Sequence, residues 1–123
     1  MSLMLTLVSK TSGAALAASV SATTATGETW GYGVCTTGTP IVVEATGGVA
    51  PYTYSWTRVS GSTTVTAVSG SSYSTYFQGL VSVGSSVSAV FKCTVTDSAS
   101  NTVDTVDVNV SLTCNYSGGG IIP

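Results

Sequence analysis

Side chains that could carry catalysis or bind a metal are few in this chain of 123 residues, which contains three cysteines and no histidine. Without histidine, a serine or cysteine nucleophile lacks its usual general base. The cysteine spacings match no zinc-binding pattern. Glu28 and Glu44 would be the carboxylate pair for glycoside hydrolysis, but they fall in a Gly/Thr-rich loop and in the middle of a strand. We therefore expect no catalytic residue, no metal site and no cofactor, and the sequence predicts that the protein is not an enzyme.

Three aspartates, Asp97, Asp104 and Asp107, lie close together around the last predicted turn. Carboxylates are ligands that Ca²⁺ prefers, and aspartate side chains also cap the backbone of turns. We expect the second role, with the carboxylates capping the turn and facing solvent.

The charge balance excludes several classes of partner. The net charge is −2 and 7% of the residues are charged, with three basic residues, Lys10, Arg58 and Lys92, scattered far apart. No basic stripe exists to neutralise a phosphate backbone, and no basic amphipathic helix exists to bind a membrane surface. We therefore expect neither nucleic acid nor membrane as a partner. Serine, threonine and glycine replace the missing charges, and such a nearly uncharged surface favours assembly.

Alternating apolar residues predict strands rather than helices. Tyr54 and Trp56 share one face of the strand that follows Pro51. Phe91 and Cys93 share one face of the most strongly alternating strand. We expect Trp56, Phe91 and Tyr54 in the core, and Cys93 as a buried and inert thiol.

The beginning and the end of the strand region differ in regularity. Residues 23–39 are rich in threonine and glycine and predict an irregular strand with turns. The segment from Val106 to Cys114 alternates for longest and predicts the final strand, with Val106 on its apolar face. Several short strands with regular turn signals predict an all-β sandwich.

Two segments flank the sandwich, which we expect at residues 14–114. Residues 1–13 carry alternating leucines and predict an edge strand or arm rather than a signal peptide, because no basic region precedes the short apolar run. Residues 115–123 predict a flexible Gly-rich tail whose apolar tip is either a frayed terminus or an anchor in a neighbouring subunit. Aromatic residues beside Gly31 can stack on sugars or anchor a protein interface. The candidate interface residues are Leu3, Leu5, Leu7, Trp30, Tyr32, Tyr116, Ile121 and Ile122.

Three motifs carry a resemblance to a known family. They are Gly47-Gly48, Pro51-Tyr52-Thr53-Tyr54-Ser55-Trp56-Thr57-Arg58 and Phe91-Lys92-Cys93-Thr94-Val95-Thr96-Asp97. With them, residues 14–112 resemble the bacterial and phage immunoglobulin-like domains close to the polycystic-kidney-disease-type module. The resemblance implies an immunoglobulin-like β-sandwich of two antiparallel sheets with about seven strands, extended by N- and C-terminal arms.

A second resemblance concerns function. The Thr/Gly-rich lead-in and the run Ser55-Trp56-Thr57-Arg58-Val59-Ser60-Gly61 are similar to small proteins encoded among tailed-phage structural genes. This implies a structural or decorating virion component, such as a capsid decoration, neck, tail or fibre accessory protein. Such a protein is made in the bacterial cytoplasm without a signal peptide, resides in the extracellular particle, and contacts other virion proteins and further copies of itself. Two alternatives stay open: an adhesion module that binds host cell-surface glycan through Trp30 and Tyr32, and an immunoglobulin-like domain of a bacterial surface protein.

The chain departs from antibody-type domains at the positions of their disulfide and tyrosine corner. Val43 and Ala45 stand on the second strand, where those domains carry a cysteine, and Phe91 stands in place of the corner tyrosine. In sandwiches of this family the second half of the first strand runs beside the last strand, so the resemblance brings Cys35 and Cys114 close together. An intramolecular disulfide, an intermolecular disulfide and reduced thiols are the alternatives.

Overall fold

The computed structural model describes residues 15–30 and 33–115, and it confirms the prediction of an all-β chain. These residues form eleven strands and no helix. The strands are β1 (Ala17–Val20), β2 (Thr24–Trp30), β3 (Gly33–Thr36), β4 (Ile41–Thr46), β5 (Thr53–Gly61), β6 (Thr66–Ala67), β7 (Ser74–Thr75), β8 (Phe77–Val81), β9 (Ser86–Thr96), β10 (Thr102–Asp104) and β11 (Val108–Asn115).

The largest sheet has five strands. Its order is β10-β9-β11-β2, and β5 also pairs with β9. All pairs in it are antiparallel except β11 with β2, which run parallel from Asn109 opposite Thr24 to Asn115 opposite Trp30. The alternating strand β9 is the centre of this sheet because it pairs with β5, β10 and β11, and its inward side chains from Ala89 to Val95 are buried.

Two three-stranded sheets, β1-β4-β7 and β3-β8-β6, contain the remaining strands. They meet at Thr37, whose N–H donates to the Phe77 carbonyl at 2.9 Å and whose Oγ1 accepts from the Phe77 N–H at 3.1 Å. Residues 37–40 separate β3 from β4, and Pro40 offers no N–H to a strand ladder there. Tyr76 alone separates β7 from β8. The structure therefore has three hydrogen-bonded sheets where the resemblance implies two.

The prediction for Val106 is wrong. This side chain is 63% exposed and lies between β10 and β11 rather than on a buried strand face. Thr105 takes the inward position instead, because its Oγ1 accepts the Cys93 N–H at 3.0 Å and its own N–H donates to the Cys93 carbonyl at 2.9 Å. One additional residue between Asp104 and Val108, compared with the facing stretch of β9, shifts the alternation in the manner of a β-bulge.

Residues 23–39, predicted to be irregular, contain the two ordered strands β2 and β3. Their order comes from long-range pairing, since β2 pairs with β11 and β3 pairs with β8. Gly27 contributes to this arrangement: a Cβ at this position would overlap the backbone carbonyl of Thr36, so only glycine lets β2 and β3 approach this closely.

An aromatic cluster fills the centre of the core. The Phe77 ring lies 5.4 Å from the Trp56 ring in an edge contact and 4.8 Å from the Phe91 ring, measured between centroids. Trp56 is paired with Cys93 across β5 and β9, and its indole N–H donates to the Ser72 carbonyl at 2.9 Å. Because Phe77 belongs to β8 and the other two rings to the five-stranded sheet, this cluster joins the sheets. The buried apolar residues are Ala25, Cys35, Ile41, Val43, Trp56, Val65, Phe77, Val81, Ala89, Phe91, Cys93, Val95, Val108, Val110, Leu112 and Cys114.

Candidate interaction surfaces

Several exposed apolar side chains lie on the outward side of the two small sheets, with Thr36, Gln78 and Thr66 among them. Val34 of β3 is 58% exposed and Leu80 of β8 is 49% exposed. They are direct partners in the antiparallel register, so their side chains lie side by side on the same face. We call this surface the apolar face, and its members are Val34, Val42, Val68, Tyr76 and Leu80.

Strand pairing determines which side chains join the apolar face. Phe77 and Ala67 are paired and point inward, so the residues next to them, Tyr76 and Val68, point outward. The Val68 N–H donates to the Tyr76 carbonyl at 2.9 Å, which holds these two residues together. Within the described part of the chain, the only charged residue on the strands of the two small sheets is Glu44, on the stretch of β4 that pairs with β1.

A polar groove of about 480 Å³ lies along β2, where the edge of the five-stranded sheet meets β3. On β2, Thr26 and Glu28 are exposed on one face, and the parallel register sets Ser111 and Thr113 of β11 directly opposite them. We call this the hydroxyl groove, and its lining is Thr26, Gly27, Glu28, Thr36, Gly38, Ser111 and Thr113. Its walls therefore present hydroxyls, one carboxylate and backbone.

Trp30 stands at the end of the same face of β2 and is 66% exposed. It follows Thr26 and Glu28 at two-residue intervals, so all three side chains point the same way. Asn115 is its partner on β11. The sequence prediction of Trp30 as an interface residue remains a prediction, and the structure adds the groove beside it.

The Asp97 carboxylate ties two loops together. Its Oδ2 accepts from the Val49 N–H and the Asn101 side-chain amide, each at 3.0 Å, and its Oδ1 accepts from the N–H groups of Ala99 at 3.0 Å and Asn101 at 2.8 Å. The hydrogen bond from the Asn101 side chain, aided by those from the backbone, holds the pKa of Asp97 below its ordinary value. With four donors engaged, this carboxylate caps the turn as predicted, but Asp97 is buried rather than facing solvent.

Asp104 is engaged separately from Asp97. Its Oδ1 accepts from the Thr94 hydroxyl at 2.6 Å and its Oδ2 accepts from the Lys92 ammonium at 2.9 Å. These hydrogen bonds, that from Thr94 first, lower the pKa of Asp104. Across the described ranges, no three histidine, cysteine, aspartate or glutamate residues come together in a way that could hold a metal ion.

The three cysteines are buried thiols in the structure. Burial raises the pKa of Cys93 to about 11, so it stays protonated at neutral pH. Burial also raises the pKa of Cys35, and the nearby Cys114 and Glu28 act in the same direction. The Cys35 thiol lies 3.8 Å from the Thr113 carbonyl, next to Cys114 along β11. The two cysteines named as a disulfide pair are thus neighbours, and their bonding remains a prediction.

The structure distributes the other predicted residues between core and surface. Trp56 and Phe91 are buried, and Tyr54 is half-buried with its ring 6.0 Å from that of Tyr73. Seven of the eight candidate interface residues lie outside the described part of the chain: Leu3, Leu5, Leu7, Tyr32, Tyr116, Ile121 and Ile122.

Sequence reasoning did not identify the apolar face. A signal existed in Phe77-Gln78-Gly79-Leu80-Val81, where Leu80 is an apolar residue at an outward position of a strand whose inward positions are Phe77, Gly79 and Val81. No such signal marks the hydroxyl groove, because serine and threonine occupy outward positions throughout the chain.

Comparisons with protein-family models, with curated proteins and with solved structures each find no match to this chain. Among the described residues there is also no helix with the length and apolarity needed to cross a bilayer.

Proposed function

We propose that this protein is an immunoglobulin-like structural subunit of a tailed-phage virion, and that it acts by contacts with copies of itself and with other virion proteins. The apolar face is the observation that carries the proposal. The virion assignment itself is supported by the resemblance of residues 14–112 to phage immunoglobulin-like domains and by the nearly uncharged, hydroxyl-rich composition.

The immunoglobulin-like topology is supported by how the strands continue one another. Consecutive strands fall into four pairs, each of which is one longer strand interrupted by a few residues: β1 and β2, β3 and β4, β7 and β8, and β10 and β11. In the first of these, β1 is hydrogen-bonded to β4 and β2 to β11. Counting each of these pairs once, together with β5, β6 and β9, leaves seven strands. On this reading, the two small sheets form one layer and the five-stranded sheet forms the other, with Phe77, Trp56 and Phe91 between them.

Self-association is supported by the near absence of charged residues on the apolar face. In a two-fold contact the same surface meets itself, so a charge near the axis meets its own copy and a charge elsewhere on the surface is buried against another residue of the same surface. Glu44 is the only charged residue on the strands of this layer as described. It follows Val42 on the same outward face of β4, so the contact we propose centres on Val34 and Leu80 of the other small sheet. Fully burying a valine or leucine side chain contributes about 1.5–3 kcal/mol. Several such side chains offset the cost of association.

The two ends of the described chain offer further contacts. Residue 15 precedes β1, whose first residue Ala17 is paired with Thr46 beside the loop held by Asp97. Asn115 lies at the opposite end of the sandwich, opposite Trp30. We therefore propose that the candidate residues before residue 15 and those after Asn115 contact different neighbours in an assembly.

The test compares two lysine substitutions by light scattering coupled to size-exclusion chromatography. Leu80→Lys places a charge in the apolar face, and Val59→Lys places the same charge at an equally exposed valine of β5. We expect a defined oligomer for the wild type and for Val59→Lys, and a monomer for Leu80→Lys. Circular dichroism establishes that both variants are folded.

A wild type that is monomeric at every concentration, with or without reductant, contradicts self-association through this face. The virion assignment has its own test, which is mass spectrometry of density-purified particles from cells that express the gene with its neighbouring genes. Absence of the chain from such particles overturns that part of the proposal.

A further inference from the structure

We propose that the hydroxyl groove and Trp30 together form a binding site for a neutral oligosaccharide. This goes beyond a role in assembly, because most of the site belongs to the β2–β11 pair of the five-stranded sheet, whereas Val34 and Leu80 belong to a small sheet. The two surfaces adjoin at β3, where Thr36 follows Val34 on the same outward face. Substitutions at Trp30 and at Leu80 test the two surfaces separately.

Trp30 is exposed and is held on a strand. With 66% of the residue exposed, this indole is the most exposed of the large hydrophobic side chains in the described chain. It lies on a strand rather than at the tip of a loop, so β2 and β11 hold it at a defined height above the sheet. An exposed indole held on a rigid strand provides a flat apolar platform with a polar edge. The carbon–hydrogen face of a pyranose ring matches such a platform.

Polar side chains of β2 and β11 lie in a row that leads to Trp30. Parallel pairing of β2 with β11 forms three successive rungs on one face: Thr26 with Ser111, Glu28 with Thr113, and Trp30 with Asn115. Consecutive rungs are about 6.6 Å apart. That interval is similar to the size of one sugar ring, so an oligosaccharide lying along β2 meets a new pair of polar side chains at each ring.

The groove offers both hydrogen-bond donors and hydrogen-bond acceptors. Sugar hydroxyls both donate and accept, and they are best bound by groups of both kinds. The threonine and serine hydroxyls and the Asn115 amide do both, while the Glu28 carboxylate accepts only. Thr36 and Gly38 form the opposite wall, which stands close to β2 because Gly27 has no side chain. The groove volume of about 480 Å³ is within the range of small-molecule sites.

The charge of the groove determines whether neutral or anionic sugars can bind. Among the described residues, Glu28 is the only charged side chain in the lining of the groove. Of the basic residues in the described ranges, Lys92 is engaged with Asp104 and Arg58 lies on β5. A carboxylate without a neighbouring cation repels uronic acids, sialic acids and phosphorylated sugars. The site therefore selects neutral sugars.

The experiment is an NMR titration of the ¹⁵N-labelled full chain with four named probes. Maltotriose, cellotriose and triacetylchitotriose are the neutral probes, and trigalacturonate is the anionic probe. We expect at least one neutral trimer to shift the amide signals of Thr26, Glu28 and Thr113, and trigalacturonate to shift none of them.

Three variants complete the test. Trp30→Ala is expected to weaken the binding of the neutral trimer at least tenfold, whereas Tyr73→Ala, which removes an exposed aromatic outside the groove, leaves it unchanged. Glu28→Gln removes the repulsion and is expected to raise the affinity for trigalacturonate relative to the wild type. The proposal is overturned if no neutral trimer shifts the groove signals, or if Trp30→Ala binds as tightly as Tyr73→Ala.

Discussion

The outward surfaces of the two sides of the molecule differ in chemistry although both are made of similar strands. The small sheets present apolar side chains around the polar row Thr36, Gln78 and Thr66, and within the described residues Glu44 is the only charge on their strands. The apolar side chains are Val34, Val42, Val68, Tyr76 and Leu80. The five-stranded sheet presents hydroxyls, the Lys92–Asp104 ion pair, Glu28 and the exposed Trp30. An apolar surface of this kind is a site for protein contact, whereas a polar surface that ends in one aromatic side chain is a site for a small polar ligand.

This difference shows that the alternation of residues along a strand sets the chemistry of its outward face as well as its contribution to the core. On β8 the outward positions include Leu80, and on β11 they are Asn109, Ser111, Thr113 and Asn115. Both strands have apolar inward positions, so both contribute to one core. Changes in the core should therefore affect both surfaces together, and changes on one surface should leave the other intact.

The largest effect is expected from the core residue that both sides share. Phe77→Ala removes a fully buried ring that contacts Trp56 and Phe91. We expect a loss of about 3–5 kcal/mol in the free energy of unfolding, because the cavity adds to the lost transfer free energy. Urea unfolding followed by tryptophan fluorescence measures it. Phe77→Leu, which retains much of the volume, should cost clearly less, and equal losses for the two variants would contradict a tightly packed centre.

Intermediate effects are expected from two buried threonines, one on each side. Thr75 of β7 accepts the Ser69 N–H at 2.9 Å through its hydroxyl, and Thr105 accepts the Cys93 N–H at 3.0 Å. Valine at either position leaves a buried donor without its acceptor, at a cost of about 1–3 kcal/mol. Serine at the same position retains the hydroxyl and is the control.

Urea unfolding of the four single variants separates the alternatives. Valine variants that are as stable as the serine variants would show that packing, and not the hydroxyl, matters at these positions. A loss at Thr105 alone would mean that the bulge between β10 and β11 depends on its hydroxyl more than β7 does.

The smallest effect is expected on stability in acid, where it distinguishes Asp97 in the loop after β9 from Asp104 on β10. The pKa of Asp97 is lowered in the folded state, so its contribution to stability is present above the ordinary aspartate pKa and is lost as the pH falls through the lowered value. Asp104 acts in the same direction, but its side chain is 46% exposed. Asp97→Asn should therefore reduce the dependence of thermal stability on pH in the acid range more than Asp104→Asn does.

Thermal unfolding at a series of pH values between neutral and strongly acidic measures this difference. An identical acid profile for Asp97→Asn and the wild type would mean that the four hydrogen bonds to the carboxylate do not favour its ionised form in solution.

Much of the core could be predicted from the alternation of apolar residues. Trp56, Phe91 and Cys93 lie at inward positions because a strand that is buried on one face needs apolar side chains at every second residue. Val106 could not be placed in this way. The additional residue before Val108 reverses the alternation, and the hydrogen bonds of Thr105 with Cys93 that stabilise the bulge depend on how β9 pairs with the strands that follow it.

The candidate surfaces were less predictable than the core. Trp30 could be selected because an aromatic residue among threonines and glycines is conspicuous in the sequence. Its neighbours Ser111 and Thr113 could not, since the parallel pairing of β2 with β11 joins segments that are more than eighty residues apart. Val34 and Leu80 become one surface only through the register of β3 with β8.

The strand class, most of the inward residues and the near absence of charge followed from the sequence, because they depend on residue type and on two-residue periodicity. Val106 is the exception among the predicted inward residues. The tertiary structure decided which outward residues become neighbours, because register and sheet order are set by pairing between distant segments. It decided in this way that Val34 lies beside Leu80, and that Glu28, Thr113 and Trp30 share one face of the β2–β11 pair.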